Sequence, residues 1–438
     1  MTFNGPIGEL IDFAIGGGWG SEIPKENHSR VAVIRGTDIP KVASGDFSTV
    51  PFRYESDKKL ANRVLAPGDV VLETAGGSSA NGQYTGRTLL ITQEILDILG
   101  PTICASFCKK LVLKKDLVNP LYFYLYMQDL YKSGRVASYD SQSTGISNFQ
   151  YEAFVKNEHL ELPKYEIQTS VANVLSNLQN KININSQISK TLEVIAQTIF
   201  KSWFIDFDPV KAKMAGEKPA GMDARITALF PDSIEESEIG LIPQGWAVRS
   251  LDEISEYLNG LAMQKFPVTD ENEQLPVIKI AQLRAGNTQG ADMASGFLDS
   301  RFIIKDGDIL FSWSGTLEVE TWTGGPGALN QHLFKVAGKD VPDWYSYLST
   351  KSFLSFFREI ASGKATTMGH IQRGHLSESR LAIPNGELLR RATEIIEPII
   401  SLKIKISIES RYLAEMRDSL LPRLISGELQ IPEEMLAS

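Results

Sequence analysis

The sequence repeats one plan twice, and this internal repeat constrains the fold more than any other feature of the chain. Residues 10–16 (LIDFAIG) and 254–260 (ISEYLNG), 244 positions apart, share an apolar pattern and a terminal glycine. Further matches follow in the same order, at an offset that drifts and therefore places insertions in loops. They pair residues 33–35 with 277–279, 65–72 with 304–310, 133–134 with 362–363, and 160–163 with 381–384. We therefore predict two copies of one strand-containing globular unit.

Each copy ends in a long helical segment, about residues 166–205 in the first and 387–426 in the second. Apolar residues recur in both with alternating spacings of four and three, as in a coiled coil. The stripe comprises Ile167, Val171, Val174, Leu178, Lys181, Asn185, Ile188, Leu192, Ile195 and Ile199, then Leu388, Ala392, Ile395, Ile399, Leu402, Ile406, Glu409, Leu413, Met416 and Leu420. A lone helix of about 60 Å cannot bury such a stripe, so we predict that the two helices pair.

Three positions interrupt the predicted helices. Lys181 and Asn185 lie in the middle of the first stripe, where a buried amide can fix the register of two helices. The alternative is that both side chains face solvent along a loosely packed stretch. Pro398 lies inside the second stripe, and an interior proline removes a backbone donor, so we expect a kink or a restart of the helix there.

Composition and charge exclude several classes of protein. The chain of 438 residues has 42% hydrophobic residues and a formal net charge of −9, which is close to a globular average. It lacks an apolar run of ~20 residues and the features of a secretory signal, so we expect a cytoplasmic protein without a membrane partner. The acidic total argues mildly against a nucleic-acid partner, because phosphate contacts need Lys and Arg.

Motifs for catalysis and for nucleotide or metal binding are incomplete. The glycine-rich run 15–20 follows a segment, 8–13, that we predict to be a short amphipathic helix, whereas a nucleotide-binding loop follows a buried strand. Residues 362–366 resemble a phosphate-binding loop but lack its first glycine and its final Ser or Thr. Cys104 and Cys108 have no second cysteine pair, so two buried side chains in a strand are favoured over a zinc site. We therefore assign no catalytic residue, metal or cofactor to this chain.

Three stretches are distinctive. They are residues 240–246 (GLIPQGW), which open the second copy, residues 200–209 (FKSWFIDFDP), which close the first helix, and residues 420–429 (LLPRLISGEL), which close the second. In these stretches the chain resembles a known family, the specificity (S) subunits of type I DNA restriction–modification systems. The resemblance covers essentially the whole chain, because the order globule, helix, globule, helix is also the order of the family.

The resemblance implies an α+β (mixed α/β) fold. Two target-recognition domains form a pseudo-two-fold repeat and are separated by two long antiparallel coiled-coil helices. The implied divisions are 1–165 and 241–385 for the recognition domains, 166–207 and 386–427 for the spacer helices, 208–240 for the linker and 428–438 for the C-terminal tail.

The resemblance also implies a function. Such a chain is a non-catalytic subunit whose two domains each read one half of a bipartite site in double-stranded DNA, while the helices set the spacing and dock two methylation (M) subunits. S-adenosylmethionine, ATP and Mg then belong to partners, which include restriction/translocase (R) subunits, in a prokaryotic cytoplasm. Two other classes stay open: a coiled-coil scaffold without DNA-binding function, and an enzyme with an unrecognised site.

Basic charge recurs late in both copies and locates the predicted DNA contacts. Residues 101–135 carry a net charge of +4 and residues 351–384 of +3, and polar or glycine-rich loops lie beside them. Lys and Arg contact phosphates, whereas polar side chains in loops contact base edges; the alternative for each residue is an ordinary surface loop. The predicted DNA-binding residues are Arg35, Thr74, Ser78, Ser79, Tyr84, Arg87, Lys109, Lys132, Arg135, Tyr139, Gln142, Ser143 and Thr144 in the first copy, and Lys279, Arg284, Ser312, Ser314, Thr316, Asn330, Lys351, Lys364, Thr366, Thr367, His370 and Gln372 in the second.

Overall fold

The computed structural model describes residues 3–76, 84–143, 146–363 and 369–432. The chain divides into two compact units: unit 1 contains residues 1–180 and 414–438, and unit 2 contains residues 181–413. Each unit therefore includes one globular copy and a part of both long helices. Among the described residues, no helix is both long and apolar enough to cross a membrane.

The described residues of unit 1 up to position 180 form twelve short strands and six α-helices. The strands are β1 (Phe3–Pro6), β2 (Ile11–Gly16), β3 (His28–Ile34), β4 (Phe52–Ser56), β5 (Val70–Glu73), β6 (Ala75–Gly76), β7 (Thr88–Leu90), β8 (Thr102–Cys104), β9 (Cys108–Leu113), β10 (Asp140–Ser143), β11 (Ile146–Phe149) and β12 (His159–Leu162). The helices are α1 (Ile39–Ala43), α2 (Asp57–Arg63), α3 (Gln93–Leu99), α4 (Pro120–Lys132), α5 (Tyr151–Asn157) and α6 (Tyr165–Phe200), the last of which continues into unit 2.

Unit 2 has the same kinds of element. Its strands are β13 (Ile234–Ser237), β14 (Gly240–Pro243), β15 (Ala247–Ser250), β16 (Ser255–Asn259), β17 (Gln274–Ile278), β18 (Met293–Ser295), β19 (Ile303–Ile304), β20 (Ile309–Ser312), β21 (Val319–Thr321), β22 (Gly327–Leu329), β23 (Leu333–Gly338) and β24 (Arg380–Ile383). Its helices are α7 (Asp208–Met214), α8 (Ala224–Thr227), α9 (Leu251–Ile254), α10 (Ile280–Ala285), α11 (Asp343–Ser352), α12 (Leu354–Ser362), α13 (Arg373–Glu378) and α14 (Gly386–Ile425), the last of which continues into unit 1.

Two sheets of unit 1 correspond strand by strand to two sheets of unit 2, as the repeat in the sequence predicts. The order β2-β9-β5-β7 in unit 1 matches the order β16-β23-β20-β21 in unit 2, and every neighbouring pair is antiparallel. A second sheet, β4-β3-β8, matches β18-β17-β22, with one antiparallel and one parallel pair in each, and β19 extends the latter. The mixed helix and strand content therefore agrees with the predicted fold class.

A β-bulge explains why the offset between the copies drifts inside a strand as well as in loops. The register of β2 against β9 shifts between Ile11 and Phe13, whereas β16 pairs with β23 without interruption. One extra residue in β2 changes the offset from 244 to 243, so Gly17, and not Gly16, is the equivalent of Gly260. A Cβ on Gly17 would lie 2.1 Å from a backbone oxygen, and one on Gly260 would lie 2.3 Å from a backbone oxygen. Close backbone approach therefore requires glycine at both positions.

One local expectation is wrong, and of the two outcomes expected at Pro398 the restart does not occur. Residues 8–13 do not form an amphipathic helix, because a single 3-10 turn, Ile7–Leu10, leads directly into β2. The helix α14 runs without a restart through Pro398. Leu388, Ala392, Ile396 and Ile400 are all buried around this point, and this packing holds the helix together despite the missing backbone donor.

The antiparallel helix pair is polar at its centre within unit 2. The amide of Asn185 is buried and donates to Glu409 at 2.8 Å, and Ser189 lies 3.3 Å from Ser407. The contacts therefore favour the register role for Asn185 over the solvent-facing alternative. Burial does not follow the predicted stripe throughout, because Ile188 and Ile195 on α6 and Leu402 on α14 are exposed.

Each unit has its own hydrophobic core that includes helix residues. In unit 1, Val171 and Leu175 of α6 and Leu421 and Leu424 of α14 are buried in one cluster with the globular copy. In unit 2, the segment 208–240 also contributes, since Phe230 is buried beside Trp203 and Trp246. The segment predicted as a linker is thus packed on the second copy.

Candidate nucleic-acid interface

The two kinds of loop predicted to meet DNA lie side by side in unit 1. The carbonyl of Thr74, just after β5, accepts a hydrogen bond from the N–H of Phe149 at 2.9 Å. The short strand β6 pairs with β11, where Ala75 lies opposite Asn148. Residues 74–75, at the start of the glycine-rich loop, and residues 148–149, just after the polar loop, therefore lie next to each other in the fold, although they are about 70 positions apart in sequence.

Unit 2 repeats this arrangement. The carbonyl of Trp313, just after β20, accepts a hydrogen bond from the N–H of Ile371 at 3.0 Å. An isolated antiparallel bridge joins Ser314 to His370, as Ala75 is joined to Asn148 in unit 1. We refer to this pair of equivalent loop junctions as the strand-end sites.

Side chains around the strand-end site of unit 1 are held by internal carboxylates. Glu158 is nearly buried; its carboxylate accepts hydrogen bonds from Arg135 at 2.5 Å, from Tyr126 at 2.8 Å and from Tyr139 at 3.0 Å. Burial and the adjacent carboxylate raise the pKa of Tyr139 to about 12, so its hydroxyl remains a donor near neutral pH. The predicted contacts Arg135 and Tyr139 are thus brought together by one internal partner.

Two further predicted arginines are also paired within unit 1. Arg87 donates two hydrogen bonds to buried Glu73 at 2.8 and 2.6 Å, which raise the pKa of the guanidinium. Arg35 donates to Asp38 in the same bidentate manner at 2.8 and 2.9 Å. These fork-like pairs fix both side chains in place and offset part of their charge.

Lys132, Tyr84 and Lys109 of unit 1 have other partners. Lys132, on the last turn of α4, forms a half-exposed ion pair with Asp418 at 2.7 Å. Tyr84 accepts a hydrogen bond at its carbonyl from the Tyr131 hydroxyl at 3.2 Å. Lys109 places its Nζ 4.4 Å from the ring centroid of Tyr151.

The predicted cations of unit 2 that the structure describes form ion pairs. Lys279 pairs with Asp292, and Arg284 lies 3.4 Å from Glu318. The Nζ of Lys351 lies 2.9 Å from carboxylate oxygens of both Glu193 and Glu320, so this largely buried side chain joins α11 to α6 and β21.

The described polar residues predicted in unit 2 mostly form hydrogen bonds within the protein, around the strand-end site. Ser312 is buried and donates to the carbonyl of Thr316 at 2.6 Å. Buried Asn330 accepts the backbone N–H of His332 at 3.2 Å, while Ser314 lies 3.0 Å from Nδ1 of His332. Gln372 is the residue before α13, and its N–H bonds to the ring of His375.

Some predicted residues lie outside the described part of the chain. They are Ser78, Ser79, Thr144, Lys364, Thr366 and Thr367, and the side chains of Gln142 and Ser143 belong with them.

Sequence reasoning missed five residues that the fold brings to the strand-end sites: Ala75, Phe107 and Asn148 in unit 1, and Trp313 and His332 in unit 2. Phe107 is 63% exposed in unit 1, although it is a large apolar residue. In unit 2, the ring of Trp313 lies 5.9 Å from that of His332 and 6.3 Å from that of His370. Their only sequence signal was their position beside matched strands, and this becomes informative once strand register is known.

The described residues offer neither a cluster of metal ligands nor an exposed thiol. Within residues 3–76, 84–143, 146–363 and 369–432, no group of three His, Cys, Asp or Glu side chains could hold a metal ion. Both thiols are buried, and this raises the pKa of Cys104 to about 12, so neither is a ready nucleophile.

The family described as "Type I restriction modification DNA specificity domain" matches the chain twice, at residues 25–194 and 243–411. The chain is also similar to the type I restriction enzyme HindI specificity subunit of Haemophilus influenzae, with 26% identity over 321 residues that cover 63% of this chain and 70% of that protein. Similarity to the type I restriction enzyme MjaIX specificity subunit of Methanocaldococcus jannaschii is 25% over 342 residues, which cover 74% of this chain and 72% of the relative.

A solved structure has the same fold over nearly the whole length. The S subunit of a type I restriction-modification system from M. genitalium aligns with a TM-score of 0.54 at 13% identity, over 97% of this chain and 96% of that one. At this identity the likeness concerns the fold alone.

Proposed function

Because this chain belongs to the family of type I restriction–modification specificity subunits and contains two recognition domains, we propose that it reads a bipartite site in double-stranded DNA. Each strand-end site contacts one half of the target. The chain itself carries out no chemistry, and its contribution to the complex is sequence recognition.

The observation that supports this proposal is the repetition of one loop junction in two units. Thr74 and Trp313 stand at the ends of equivalent strands and accept equivalent backbone hydrogen bonds from Phe149 and Ile371. Two equivalent junctions in one chain fit a ligand that offers two similar sites, as duplex DNA with a split motif does. The surrounding polar and basic groups are of the types that contact bases and phosphates.

The long helices have two roles in the proposal. They set the spacing between half-sites, since the 36 residues of α6 extend ~54 Å at 1.5 Å per residue. They also dock two M subunits, because an exposed apolar surface on a helix is typical of a protein interface. The exposed apolar side chains of the helix segments in unit 2 are Ile184, Ile188, Val194, Ile195, Leu402 and Tyr412.

The catalytic groups are assigned to partners. M subunits bind S-adenosylmethionine and methylate the DNA, R subunits use ATP and Mg, and the complex acts in a prokaryotic cytoplasm. The net charge of −9 supports weak DNA binding by this chain alone, since affinity for the phosphate backbone depends on cationic surface that partners then supply.

Modified-base sequencing tests the proposal directly. Cells that co-express this chain with an M subunit should acquire methyl-adenine in both halves of one split motif. Replacing residues 1–165 by the same region of a relative should change one half only. An assembled and catalytically active complex that adds no methylation would contradict the proposal and would favour the coiled-coil scaffold.

Co-purification tests the docking surface. We expect the double variant Ile195→Ser and Leu402→Ser to lose the M subunit while its melting temperature stays within a few degrees, because both side chains are exposed. Ile98→Ser, on α3 and similarly exposed, is the matched control and should retain the M subunit. Equal retention by both variants would place docking elsewhere.

A further inference from the structure

We propose that four equivalent positions in each strand-end site build its base-reading surface, and that the first site recognises a thymine methyl group whereas the second recognises base edges by hydrogen bonds. This inference rests on the proposed function and specifies the chemistry of each half. The positions are Thr74, Ala75, Phe107 and Asn148 in unit 1, and Trp313, Ser314, His332 and His370 in unit 2.

The equivalence of the first pair of positions follows from backbone bonds that extend the sheet. In unit 1 the N–H of Thr74 bonds to the carbonyl of Phe107 at 2.8 Å, one step beyond the paired residues Glu73 and Cys108. In unit 2 the N–H of Trp313 bonds to the carbonyl of His332 at 3.4 Å, one step beyond Ser312 and Leu333. Thr74 therefore corresponds to Trp313, and Phe107 corresponds to His332.

The other two positions follow from the crossing segment. Ala75 pairs with Asn148, and Ser314 forms a bridge with His370, in the same antiparallel sense. The fourth position of each site is thus fixed by strand pairing and not by sequence similarity.

The surrounding framework is the same in both units, although the four positions differ. Asp69, in the turn before β5, lies 3.2 Å from Lys110 on β9, and the equivalent Asp308, in the turn before β20, lies 2.8 Å from Lys335 on β23. A conserved backbone with exchanged side chains is the arrangement expected where the two sites must read different sequences. At the four positions no residue type is shared.

The residue types in unit 1 indicate an A·T base pair. Apolar contact from Ala, Thr or Phe recognises the thymine methyl group, and Asn bonds in bidentate fashion to adenine. Phe107 is 63% exposed, so its ring is accessible to a ligand at this loop junction. Lys109, on the strand that begins just after Phe107, places its Nζ over the ring of Tyr151.

The residue types in unit 2 indicate hydrogen bonding. Imidazole rings offer both a donor and an acceptor nitrogen. Buried Ser314 lies 3.0 Å from Nδ1 of His332 and orients the ring, whereas the contact of Nε2 with Gln331 is longer, at 3.4 Å. Nε2 is therefore the nitrogen that can exchange its contact for a base edge. Trp313 packs beside the imidazole ring and is itself fixed by an indole hydrogen bond to Asn259 at 3.0 Å.

Deoxyuridine substitution tests the difference, because uracil lacks only the methyl group. The affinity of the chain, purified with its M subunit, is measured on duplexes that carry the motif with each thymine replaced in turn. We expect one thymine, in one half only, whose replacement weakens binding roughly four-fold, the value of one buried methyl group. Phe107→Ala should weaken binding to the thymine duplex and remove the sensitivity to uracil at that position.

Two further variants test whether the uracil effect is specific to Phe107 and to one half of the motif. Phe297→Ala removes a 67% exposed aromatic side chain elsewhere and should leave the uracil sensitivity unchanged. His332→Ala should reduce discrimination at one base pair of the other half, by on the order of ten-fold, without altering the uracil effect.

The outcomes distinguish this inference from the proposed function. If the unaltered complex recognises no split motif, the proposed function fails. If it recognises one but no thymine is sensitive to uracil, or if Phe107→Ala keeps the full sensitivity, the inference alone is overturned. A uniform loss of affinity across all base substitutions in either variant would also overturn it, since that pattern belongs to a phosphate contact or to misfolding.

Discussion

The Nζ of Lys403 on α14 lies 2.6 Å from a carboxylate oxygen of Glu193 on α6. The other oxygen of Glu193 lies 2.9 Å from Lys351, and both accept the Tyr347 hydroxyl at 2.9 Å. Burial by itself would raise the pKa of Glu193, but the two lysines outweigh it and lower that pKa to about 2. One carboxylate therefore joins both helices to the globular part of unit 2.

We expect Glu193→Gln to lower the free energy of unfolding of unit 2 by about 3–5 kcal/mol, because it leaves two largely buried ammonium groups without their main countercharge. Urea denaturation of the full chain measures the loss. The control variant Glu394→Gln removes an exposed partner of Arg390 on α14. It should lower the free energy of unfolding by less than about 1 kcal/mol. Equal losses in the two variants would contradict a structural role for the buried carboxylate.

The same carboxylate predicts a specific pH dependence. Its pKa of about 2 in the folded chain lies below its ordinary value of 4.5, so its stabilising contribution is complete above that ordinary value and is lost as the pH falls toward about 2. Glu193→Gln should therefore flatten the fall in unfolding free energy between these two pH values. A parallel decline in the variant and the unaltered chain would refute the assignment.

Asn185 should contribute more to the helix pair than its neighbour Lys181, although both contact Glu409. The amide of Asn185 is buried and donates to the carboxylate at 2.8 Å, whereas Lys181 is half-exposed at 3.7 Å. We expect Asn185→Ala to cost about 1.5–3 kcal/mol, the range for a hydrogen bond to a charged group, and Lys181→Ala to cost under about 1 kcal/mol. Thermal unfolding of both variants provides the comparison, and the reverse order would contradict it.

The repeated Asp-Lys pair predicts matched but unequal effects in the two units. Lys110 is more deeply buried than Lys335, and it also donates to the carbonyl of Val64 at 2.6 Å. Lys110→Met should therefore destabilise unit 1 by about 3–5 kcal/mol, and Lys335→Met should destabilise unit 2 by less. Hydrogen exchange resolved along the chain assigns each loss to its unit; loss of protection in the wrong unit would refute the equivalence.

A cation and an aromatic ring contact each other at equivalent positions of both copies, but in opposite order. The cation is on the strand (β9) in unit 1, whereas in unit 2 the strand (β23) carries the ring. Lys109 lies 4.4 Å from the ring centroid of Tyr151, and at the equivalent positions Arg373 lies 5.7 Å from the ring of Phe334. Each single change, Lys109→Phe or Tyr151→Arg, should destabilise unit 1, while the double variant should recover about 0.5–1 kcal/mol of coupling. Additive losses in this double-mutant cycle would show that the two pairs are not equivalent.

Strong local patterns made much of the architecture predictable. The repeat, the order of globules and helices and the ends of both long helices follow from apolar spacing and from glycine and proline positions, which act over a few residues. The matched segments 65–72 and 304–310 also have a common turn before β5 and β20, in which the carboxylates of Asp69 and Asp308 accept hydrogen bonds from backbone N–H groups at 2.7 and 2.9 Å.

Individual members of the candidate site were less predictable. The sequence singled out Arg35, Arg87 and Lys351 as cations. Only the fold showed that they pair with Asp38, Glu73 and Glu193, respectively. Conversely, Phe107 had no polar or charged character to single it out. Residue type describes what a side chain can do, and only its neighbours determine what it does.

The sequence by itself determined that this chain consists of two related globular units with two long helices, because hydrophobic periodicity and turn residues report local structure. Only the tertiary structure decided which side chains of each stripe are buried. It also decided that a bulge makes Gly17 the equivalent of Gly260, and that Thr74 and Asn148 belong to one site. These properties depend on strand register and on contacts between residues far apart in the chain, and such contacts leave no local pattern.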